Sequence, residues 1–136
     1  MQGAKQRTLV IIPAHNEKGR IGPVVRSVTR VLPEADVVVV NDASTDDTVE
    51  EALAAGATVL PHAVNLGYGA ALETGYFYAL NQHYNLVLQM DGDGQHVAEE
   101  LIPLLAPLLE GKADMVLGSR YLGAGSAFHS PPIRRL

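Results

Sequence analysis

Short apolar runs rich in β-branched residues recur along the chain, and a stretch with helical periodicity separates each run from the next. The runs occupy 8–13, 36–41, 58–61, 85–90 and 113–118. Helical spacing predicts helices at Ile21, Val24, Val25, Val28 and Leu32, and over about 45–55, 67–82 and 97–110. Alternation of strand and helix favours parallel strands joined by right-handed crossovers. We therefore expect an α/β sandwich with a mostly parallel central sheet.

Local signals predict where some of the helices begin and end. Ser44, with Asp47 three residues later, is typical of a helix N-terminus, and Gly56 is typical of a helix C-terminus. Pro103 and Pro107 fall within the stretch 97–110. Because a proline inside a helix costs about 3 kcal/mol, we expect this helix to be short or kinked.

One predicted helix, at 67–82, has a face of small residues. They are Ala70, Ala71, Thr74 and Gly75. Residues three and four apart share one face of a helix, so the small side chains form a continuous stripe. The stripe predicts that this helix lies unusually close to the sheet.

Composition restricts the class of protein further. The chain has 136 residues, of which 47% are hydrophobic, and it has no cysteine. We expect a single domain over 1–136, and we exclude a disordered chain, a disulfide framework and a thiolate metal site. The net charge is −5 and no basic stripe covers a predicted helix, so nucleic-acid binding is not expected. No apolar run reaches about 18 residues, so we expect membrane contact within this sequence to be peripheral.

Polar residues follow every predicted strand. In chain order they are His15, Asn16 and Glu17, then Asn41 and Asp42, then Asn65, then Asp91, Asp93, Gln95 and His96, and finally Ser119 and Arg120. Open α/β sheets bind their ligands at the carboxyl ends of the strands. Polar residues also occupy ordinary loops, but their repetition at five strand ends predicts one ligand crevice at that edge.

Asp91 and Asp93 are the most informative of these residues, because glycines stand between and after them at the end of an apolar run. Two carboxylates on a short turn offer the hard oxygen ligands that Mg²⁺ and Mn²⁺ prefer. Such an ion usually also binds phosphate oxygens of a substrate and neutralises charge on a departing diphosphate. A turn whose carboxylates cap the next helix is the alternative, and the two residues alone do not decide between them.

Other ligand-binding motifs do not fit the sequence. An EF-hand loop counted from Asp91 requires Gly and Glu where His96 and Ile102 stand. There is no Gly-Lys-Ser/Thr phosphate loop and no Gly-x-Ser-x-Gly nucleophile elbow. The run GYGAAL at 67–72 begins like a dinucleotide fingerprint, but Leu72 replaces the third glycine.

Five motifs, taken in order, carry a family resemblance. They are VIIPAHNE (10–17), VVVNDASTDDT (38–48), NLGYGAALETG (65–75), MDGDGQH (90–96) and GSRY (118–121). Together they resemble family 2 glycosyltransferases of the GT-A fold, in particular polyprenyl-phosphate (dolichol-phosphate) mannose synthases and their glucose-transferring relatives. The resemblance implies a Rossmann-like α/β/α sandwich of the GT-A type. It also implies that the fold is incomplete at the C-terminus, because the acceptor-binding part of such enzymes would follow residue 136.

The resemblance implies nucleotide-binding roles for a set of matching residues. They are Pro13, His15, Glu17, Asp42, Asn65, Gly67 and Asp91. His15 stands where a tyrosine is common, and its ring can still stack on a base. Asp42 matches the acid that accepts a hydrogen bond from the base, with a simple turn aspartate as the alternative. The stretch 65–69 matches the loop that closes over the donor, although its glycines also suit a helix start.

The resemblance implies metal and phosphate contacts for a second set. Asp91 matches a position near ribose and metal, Asp93 the principal metal ligand, and Gln95 a further metal position. Arg120 matches an arginine that meets the acceptor phosphate. Arg134 lies where a second such arginine is expected, with a solvated surface charge as the alternative. Asp91, Asp93 and Arg120 are the implied catalytic residues.

The implied reaction moves mannose or glucose, with inversion, from a nucleotide diphosphate sugar such as GDP-mannose or UDP-glucose to a polyprenyl phosphate, with Mg²⁺ or Mn²⁺ as cofactor. An acceptor phosphate is already ionised near pH 7 and needs positioning rather than a general base. A sugar hydroxyl acceptor would need a base, which we would expect beyond residue 136. The implied location is the cytoplasm, at the cytoplasmic face of a membrane.

Two other functions stay open at this point. A non-catalytic module, such as a nucleotide-binding remnant, would bind nucleotide without turnover. A nucleotidyltransferase would release pyrophosphate from a nucleoside triphosphate. That class carries a glycine-rich basic loop after its first strand, whereas PAHNEKGR (13–20) has only Lys18 and Arg20 without the glycine-rich lead-in. The sequence does not specify the sugar, nucleotide, acceptor or oligomeric state.

Overall fold

The computed structural model describes residues 5–95 and 97–116. The strands are β1 (Thr8–Ala14), β2 (Asp36–Asn41), β3 (Thr58–Pro61) and β4 (Leu86–Gln89). The helices are α1 (Ile21–Val31), α2 (Thr48–Ala54), α3 (Tyr68–Asn81) and α4 (Leu101–Leu109), with a 3₁₀ turn at Ala98–Glu100. The chain divides after Leu101 into two compact units. The first unit contains all four strands and the first three helices.

The four strands form one parallel sheet in the order β3-β2-β1-β4. β1 is central, and its Ile11 pairs with Val38 of β2 on one side and with Gln89 of β4 on the other. Because the strands are parallel, their carboxyl ends share one edge of the sheet. The predicted α/β class with a mostly parallel sheet is therefore confirmed.

β1 and β2 form the centre of the core and are buried on both faces, which is why their sequences are continuously apolar rather than alternating. On one face, alternate residues of the two strands pack against α3; these are Leu9, Ile11, Val38 and Val40. On the other face, Ile12 lies near Ile21 of α1. The sheet is thus covered by helices on both sides.

The predicted close approach of α3 to the sheet is confirmed at Gly75. A Cβ atom built on Gly75 would lie 2.5 Å from Cγ2 of Ile11, closer than real contacts allow. Ala71 and Ala79 are buried one turn before and one turn after it. The small-residue face therefore lets the backbone of α3 lie directly on β1.

The N-terminus of α2 differs from the prediction. The helix begins at Thr48, and its N-cap residue is Asp47 rather than Ser44. The hydroxyl of Ser44 instead accepts the backbone N–H of Asn16 at 3.0 Å. A tertiary hydrogen bond to the loop after β1 thus takes up the side chain that the local pattern assigned to a helix cap.

The fifth predicted strand is wrong over its described part. Residues 113–116 have no strand structure, and 117–118 lie outside the described residues. The backbone N–H groups of Lys112 and Ala113 donate to the carbonyl of Pro107, so the chain here closes the end of α4. The stretch predicted as one helix is a 3₁₀ turn followed by the short α4, with Pro107 inside it. No helix in the part of the chain that the structure describes is long and apolar enough to cross a membrane.

Candidate functional site

A cavity of about 270 Å³ opens at the carboxyl edge of the sheet, where β1, β2 and β4 end. Six of the residues predicted for the site line it: Pro13, His15, Glu17, Asp42, Asp91 and Asp93. Another cavity, of about 350 Å³, includes residues at the amino ends of β2 and β3. None of the predicted site residues lines that second cavity. The site is therefore assigned to the carboxyl edge, as the parallel sheet predicts.

Hydrogen bonds between loops fix the segment that follows β1. Asn16 has a left-handed backbone, with φ of 52°, and its side-chain oxygen accepts the N–H of Thr45 at 2.8 Å. The N–H of Glu17 donates to the hydroxyl of Thr48 at 2.9 Å. The loops after β1 and β2 are thus joined, and this joint holds His15 and Glu17 beside the cavity.

The ring of His15 has a defined orientation although the residue is exposed. Its Nδ1 lies 2.7 Å from the backbone carbonyl oxygen of Asp42. A carbonyl only accepts, so Nδ1 carries the proton and donates. The side-chain nitrogens of Asn16 and Asn65 lie 3.3 and 3.4 Å from Nε2. These contacts leave a planar ring at the rim of the cavity, as a stacking role would require.

Asp42 is buried, with 4% of its surface exposed, yet its carboxylate is well satisfied. Oδ1 accepts the N–H of Leu66 and Oδ2 accepts the N–H of Gly67, both at 2.8 Å. Burial by itself would raise the pKa of Asp42. The hydrogen bonds from Leu66, His62 and Gly67 oppose burial, and the net pKa is below the ordinary value.

His62 supports Asp42 and was missed by the sequence reasoning. Its Nδ1 lies 2.9 Å from Oδ1 of Asp42, and its Nε2 lies 2.8 Å from the hydroxyl of Thr74 on α3. The signal was its position: it follows Pro61, the last residue of β3, and so it stands at the same edge as the other site residues.

The two aspartates after β4 lie where the chain passes close to β1. A Cβ atom on Gly92, between them, would lie 3.2 Å from the carbonyl oxygen of Pro13. The glycine therefore lets the turn approach the end of β1, and both flanking carboxylates line the cavity. Oδ1 of Asp93 accepts the N–H of Gln95 at 2.9 Å, which fixes the turn.

Tyr68, the first residue of α3, was also missed. Its hydroxyl donates to Oδ1 of Asp91 at 2.9 Å, and the residue lines the cavity. Burial and then the hydrogen bond to Asp91 raise the pKa of Tyr68, so the hydroxyl keeps its proton and acts as a donor.

The remaining predicted residues have different outcomes. Gly67 has φ of 98° and begins α3, so it needs the freedom of glycine, whereas Gly69 lies inside the helix without a positive φ. Asn65 lies beside His15 but does not line the cavity, and Gln95 is exposed and donates its backbone N–H to Asp93. The last two, Arg120 and Arg134, lie outside the described residues, as does His96.

Among the described lining residues of the cavity, carboxylates are present and lysine and arginine are not. Four acidic side chains line it, namely Glu17, Asp42, Asp91 and Asp93, and none of its described lining residues is lysine or arginine. Within 5–95 and 97–116, no group of three or more His, Cys, Asp and Glu side chains is arranged to hold a metal ion alone. Asp91 and Asp93 supply hard oxygens, which suit Mg²⁺ or Mn²⁺ if substrate and water complete the coordination. The donor set therefore fits an ion that binds together with a phosphorylated ligand.

Comparison with known proteins identifies the family of this chain. Residues 9–135 match the family model described as glycosyl transferase family 2. This chain belongs to glycosyltransferase family 2. It is 37% identical over 137 residues to the polyprenol monophosphomannose synthase of Mycolicibacterium smegmatis, covering 96% of this chain and 51% of that protein. It is 34% identical over 135 residues to the undecaprenyl-phosphate mannosyltransferase of Micrococcus luteus, covering 96% of this chain and 55% of that protein.

A solved structure of the same architecture is glucosyl-3-phosphoglycerate synthase from Mycobacterium tuberculosis, in complex with Mn²⁺, uridine diphosphate and glucosyl-3-phosphoglycerate. The TM-score is 0.63 at 29% sequence identity, and the match covers 78% of this chain and 40% of that one. The glycosyltransferase chain described here thus spans about half the length of the curated relatives that it matches.

Proposed function

We propose that this chain is the donor-binding domain, over 1–136, of an inverting, metal-dependent hexosyltransferase. The enzyme would move mannose or glucose from a nucleotide diphosphate sugar to a polyprenyl phosphate. The observation that carries the proposal is the acidic cavity. Four carboxylates line it, and none of its described lining residues is lysine or arginine. Such a cavity repels a bare diphosphate but attracts one that arrives with a divalent cation.

The nucleotide end of the donor would lie between the loops after β1 and β2. The ring of His15 would stack on the base, since its tether to the carbonyl of Asp42 keeps it at the rim of the cavity. The carboxylate of Asp42 would accept an N–H of the base. Its lowered pKa supports this role, because an ionised carboxylate is an acceptor only.

The diphosphate end would lie beside β4. Asp91 and Asp93 would hold Mg²⁺ or Mn²⁺, with Gln95 near them, and Tyr68 would orient Asp91 through its hydroxyl. When bound, the ion supplies Lewis-acid stabilisation of the charge on the departing nucleoside diphosphate. The carboxylates contribute by fixing where that charge is neutralised, so that the face of the anomeric carbon opposite the leaving group would stay open to the acceptor.

The acceptor would approach the opposite face of the sugar, which inverts the configuration in one displacement. A polyprenyl phosphate oxygen attacks the anomeric carbon, and the bond to the diphosphate oxygen breaks. The nucleophile is already ionised, so positioning suffices. Arg120 and Arg134, outside the described residues, would bind this phosphate. A lipid acceptor would place the reaction at a membrane surface. The similarity to a polyprenol monophosphomannose synthase and to an undecaprenyl-phosphate mannosyltransferase supports this acceptor class.

Calorimetric titration tests the donor site. GDP-mannose and UDP-glucose are titrated into the chain with and without Mn²⁺, and the titrations are repeated on Asp93→Asn. Asp114→Asn is the matched control, because Asp114 is exposed and lies outside the cavity. We expect binding of one donor that needs Mn²⁺, is lost in Asp93→Asn and persists in the control. Binding that is indifferent to Mn²⁺ and to Asp93 would contradict the proposal.

A turnover assay then separates the proposed transferase from the alternatives. The chain is incubated with the donor that binds, Mn²⁺ and a short polyprenyl phosphate, and glycolipid formation is measured by mass spectrometry. Donor binding without glycolipid would identify a nucleotide-binding module instead. Release of pyrophosphate from a nucleoside triphosphate and a sugar phosphate would identify a nucleotidyltransferase.

A further inference from the structure

The histidine that follows β3 has no role in the proposed reaction, yet it is one of the most completely bonded side chains near the site. The side chain of His62 is 7% exposed. One ring nitrogen contacts Asp42 at 2.9 Å and the other contacts Thr74 at 2.8 Å. His62 does not line the cavity, so it touches neither the proposed donor nor the proposed metal position.

The direction of these hydrogen bonds follows from Asp42. The hydrogen bonds to its carboxylate favour the ionised form, which only accepts, so Nδ1 of His62 carries a proton and donates to Oδ1. The N–H groups of Leu66 and Gly67 donate to the same carboxylate. A carboxylate has about four acceptor positions. The described residues occupy three of these positions, two on Oδ1 and one on Oδ2. The second acceptor position of Oδ2 is therefore left for a ligand.

The ring is anchored to α3 as well as to Asp42. Thr74 is the neighbour of Gly75, whose backbone lies against Ile11 in the central strand. The distance of α3 from the sheet is thus fixed, and the Thr74 hydroxyl offers Nε2 of His62 a fixed partner. Contacts run from the sheet through α3 and His62 to the carboxylate of Asp42.

We propose that His62 is a positioning residue of the donor site. It holds the plane of the Asp42 carboxylate, so that the turn at Leu66 and Gly67 is closed and one oxygen of Asp42 is presented to the nucleotide base. The inference rests on the proposed function, because it names how one residue of that site is kept in place. His62 acts only through Asp42.

The test compares two substitutions at the same position. His62→Leu removes both ring hydrogen bonds, whereas His62→Asn keeps an N–H donor near the position of Nδ1. His83→Asn is the control, because His83 is exposed and has φ of 59°, a conformation that asparagine tolerates. Each variant is titrated with the nucleotide sugar that wild type binds in Mn²⁺, and amide hydrogen exchange is followed at Leu66 and Gly67 by NMR.

We expect His62→Leu to weaken donor binding by about tenfold, the change that corresponds to one hydrogen bond to a charged group. Amide exchange at Leu66 and Gly67 should become faster in the same variant. His62→Asn should recover most of both properties, and His83→Asn should match wild type. A purely structural histidine would lower the melting temperature without this selective rescue.

Three outcomes would overturn the inference. They are wild-type donor affinity in a folded His62→Leu variant, equal losses in the Leu and Asn variants, and unchanged exchange at Leu66 and Gly67. If His62→Leu does not fold, Thr74→Val provides the same comparison by removing only the partner of Nε2. If wild type binds no nucleotide with Mn²⁺, the proposed function fails, while the exchange of the two amides still decides whether His62 holds the turn.

Discussion

The contact between Gly75 and Ile11 makes the position of α3 testable with one methyl group. In Gly75→Ala the new Cβ would lie 2.5 Å from Cγ2 and 3.0 Å from Cδ1 of Ile11. Ordinary carbon contacts begin at about 3.5 Å, so the helix and the strand must separate locally by about 1 Å. Ile11 is fully buried in the central strand, between β2 and β4, and has no space into which to retreat.

The expected magnitude combines two opposing effects. Overpacking a core typically costs about 1–3 kcal/mol, whereas alanine is favoured over glycine inside a helix by about 1 kcal/mol. The net loss in the free energy of unfolding should therefore be about 0–2 kcal/mol. Gly69→Ala on the same helix is the control, because its Cβ would meet no atom within 4 Å. The difference between the two variants, about 1–3 kcal/mol, isolates the clash.

Urea denaturation followed by circular dichroism measures both variants. Because α3 carries Tyr68 at its start and Thr74 beside Gly75, the displaced helix should also weaken donor binding in Gly75→Ala. In an Ile11→Ala background, Gly75→Ala should no longer destabilise, since the atoms it meets are gone. Equal stabilisation by the two glycine substitutions would refute the close packing of α3 on β1.

Other perturbations test the site more directly. Tyr68→Phe removes one hydrogen bond to Asp91, worth about 0.5–1.5 kcal/mol. It should therefore weaken Mn²⁺-dependent donor binding by about three- to tenfold, with little change in the free energy of unfolding. Unchanged donor affinity would contradict this role of Tyr68. Ala43 has φ of 57°, a left-handed conformation that is strained for alanine but not for glycine. Ala43→Gly should therefore raise the free energy of unfolding by up to about 1 kcal/mol. A lower free energy of unfolding in urea denaturation would contradict this strain. Asp42→Asn should lower the melting temperature most near neutral pH. The folded-state pKa of Asp42 is lowered, so its stabilisation is complete above the unfolded pKa of about 4 and is lost as the pH falls through the folded pKa. A difference in melting temperature that does not narrow at low pH would be evidence against the role of the ionised carboxylate.

The fold was predictable where burial alone determines the pattern. β1 and β2 are covered on both faces, so their sequences are apolar throughout and their bounds were predicted to within one residue. The close approach of α3 was predictable for a related reason, because Ala71 and Gly75 lie on one face of the helix and small side chains there allow close packing. These features depend on the residue types of one segment and on its general environment.

The parts that were not predictable depend on partners far along the chain. Ser44 bonds to a residue 28 positions away, and His62 bonds to one 20 positions away. No local pattern identifies such partners, because the loops are brought together only by the parallel sheet. The role of Tyr68 was not predictable for the same reason, since its contact with Asp91 joins residues 23 positions apart. Sequence therefore located the edge of the site, and the structure supplied the side chains that hold its residues in place.

The two halves of the proposed donor site differ in the charge that surrounds their carboxylates. In the nucleotide half, Asp42 accepts hydrogen bonds from three groups of the protein, which fix the orientation of its carboxylate. The half beside β4 instead places Asp91 and Asp93 in a cavity with two further carboxylates and no cation among its described lining residues. Like charges so arranged favour a divalent ion and disfavour a diphosphate by itself. In the proposed function the ion and the nucleotide must therefore strengthen each other's binding, and by the same factor, because the coupling between two ligands is reciprocal.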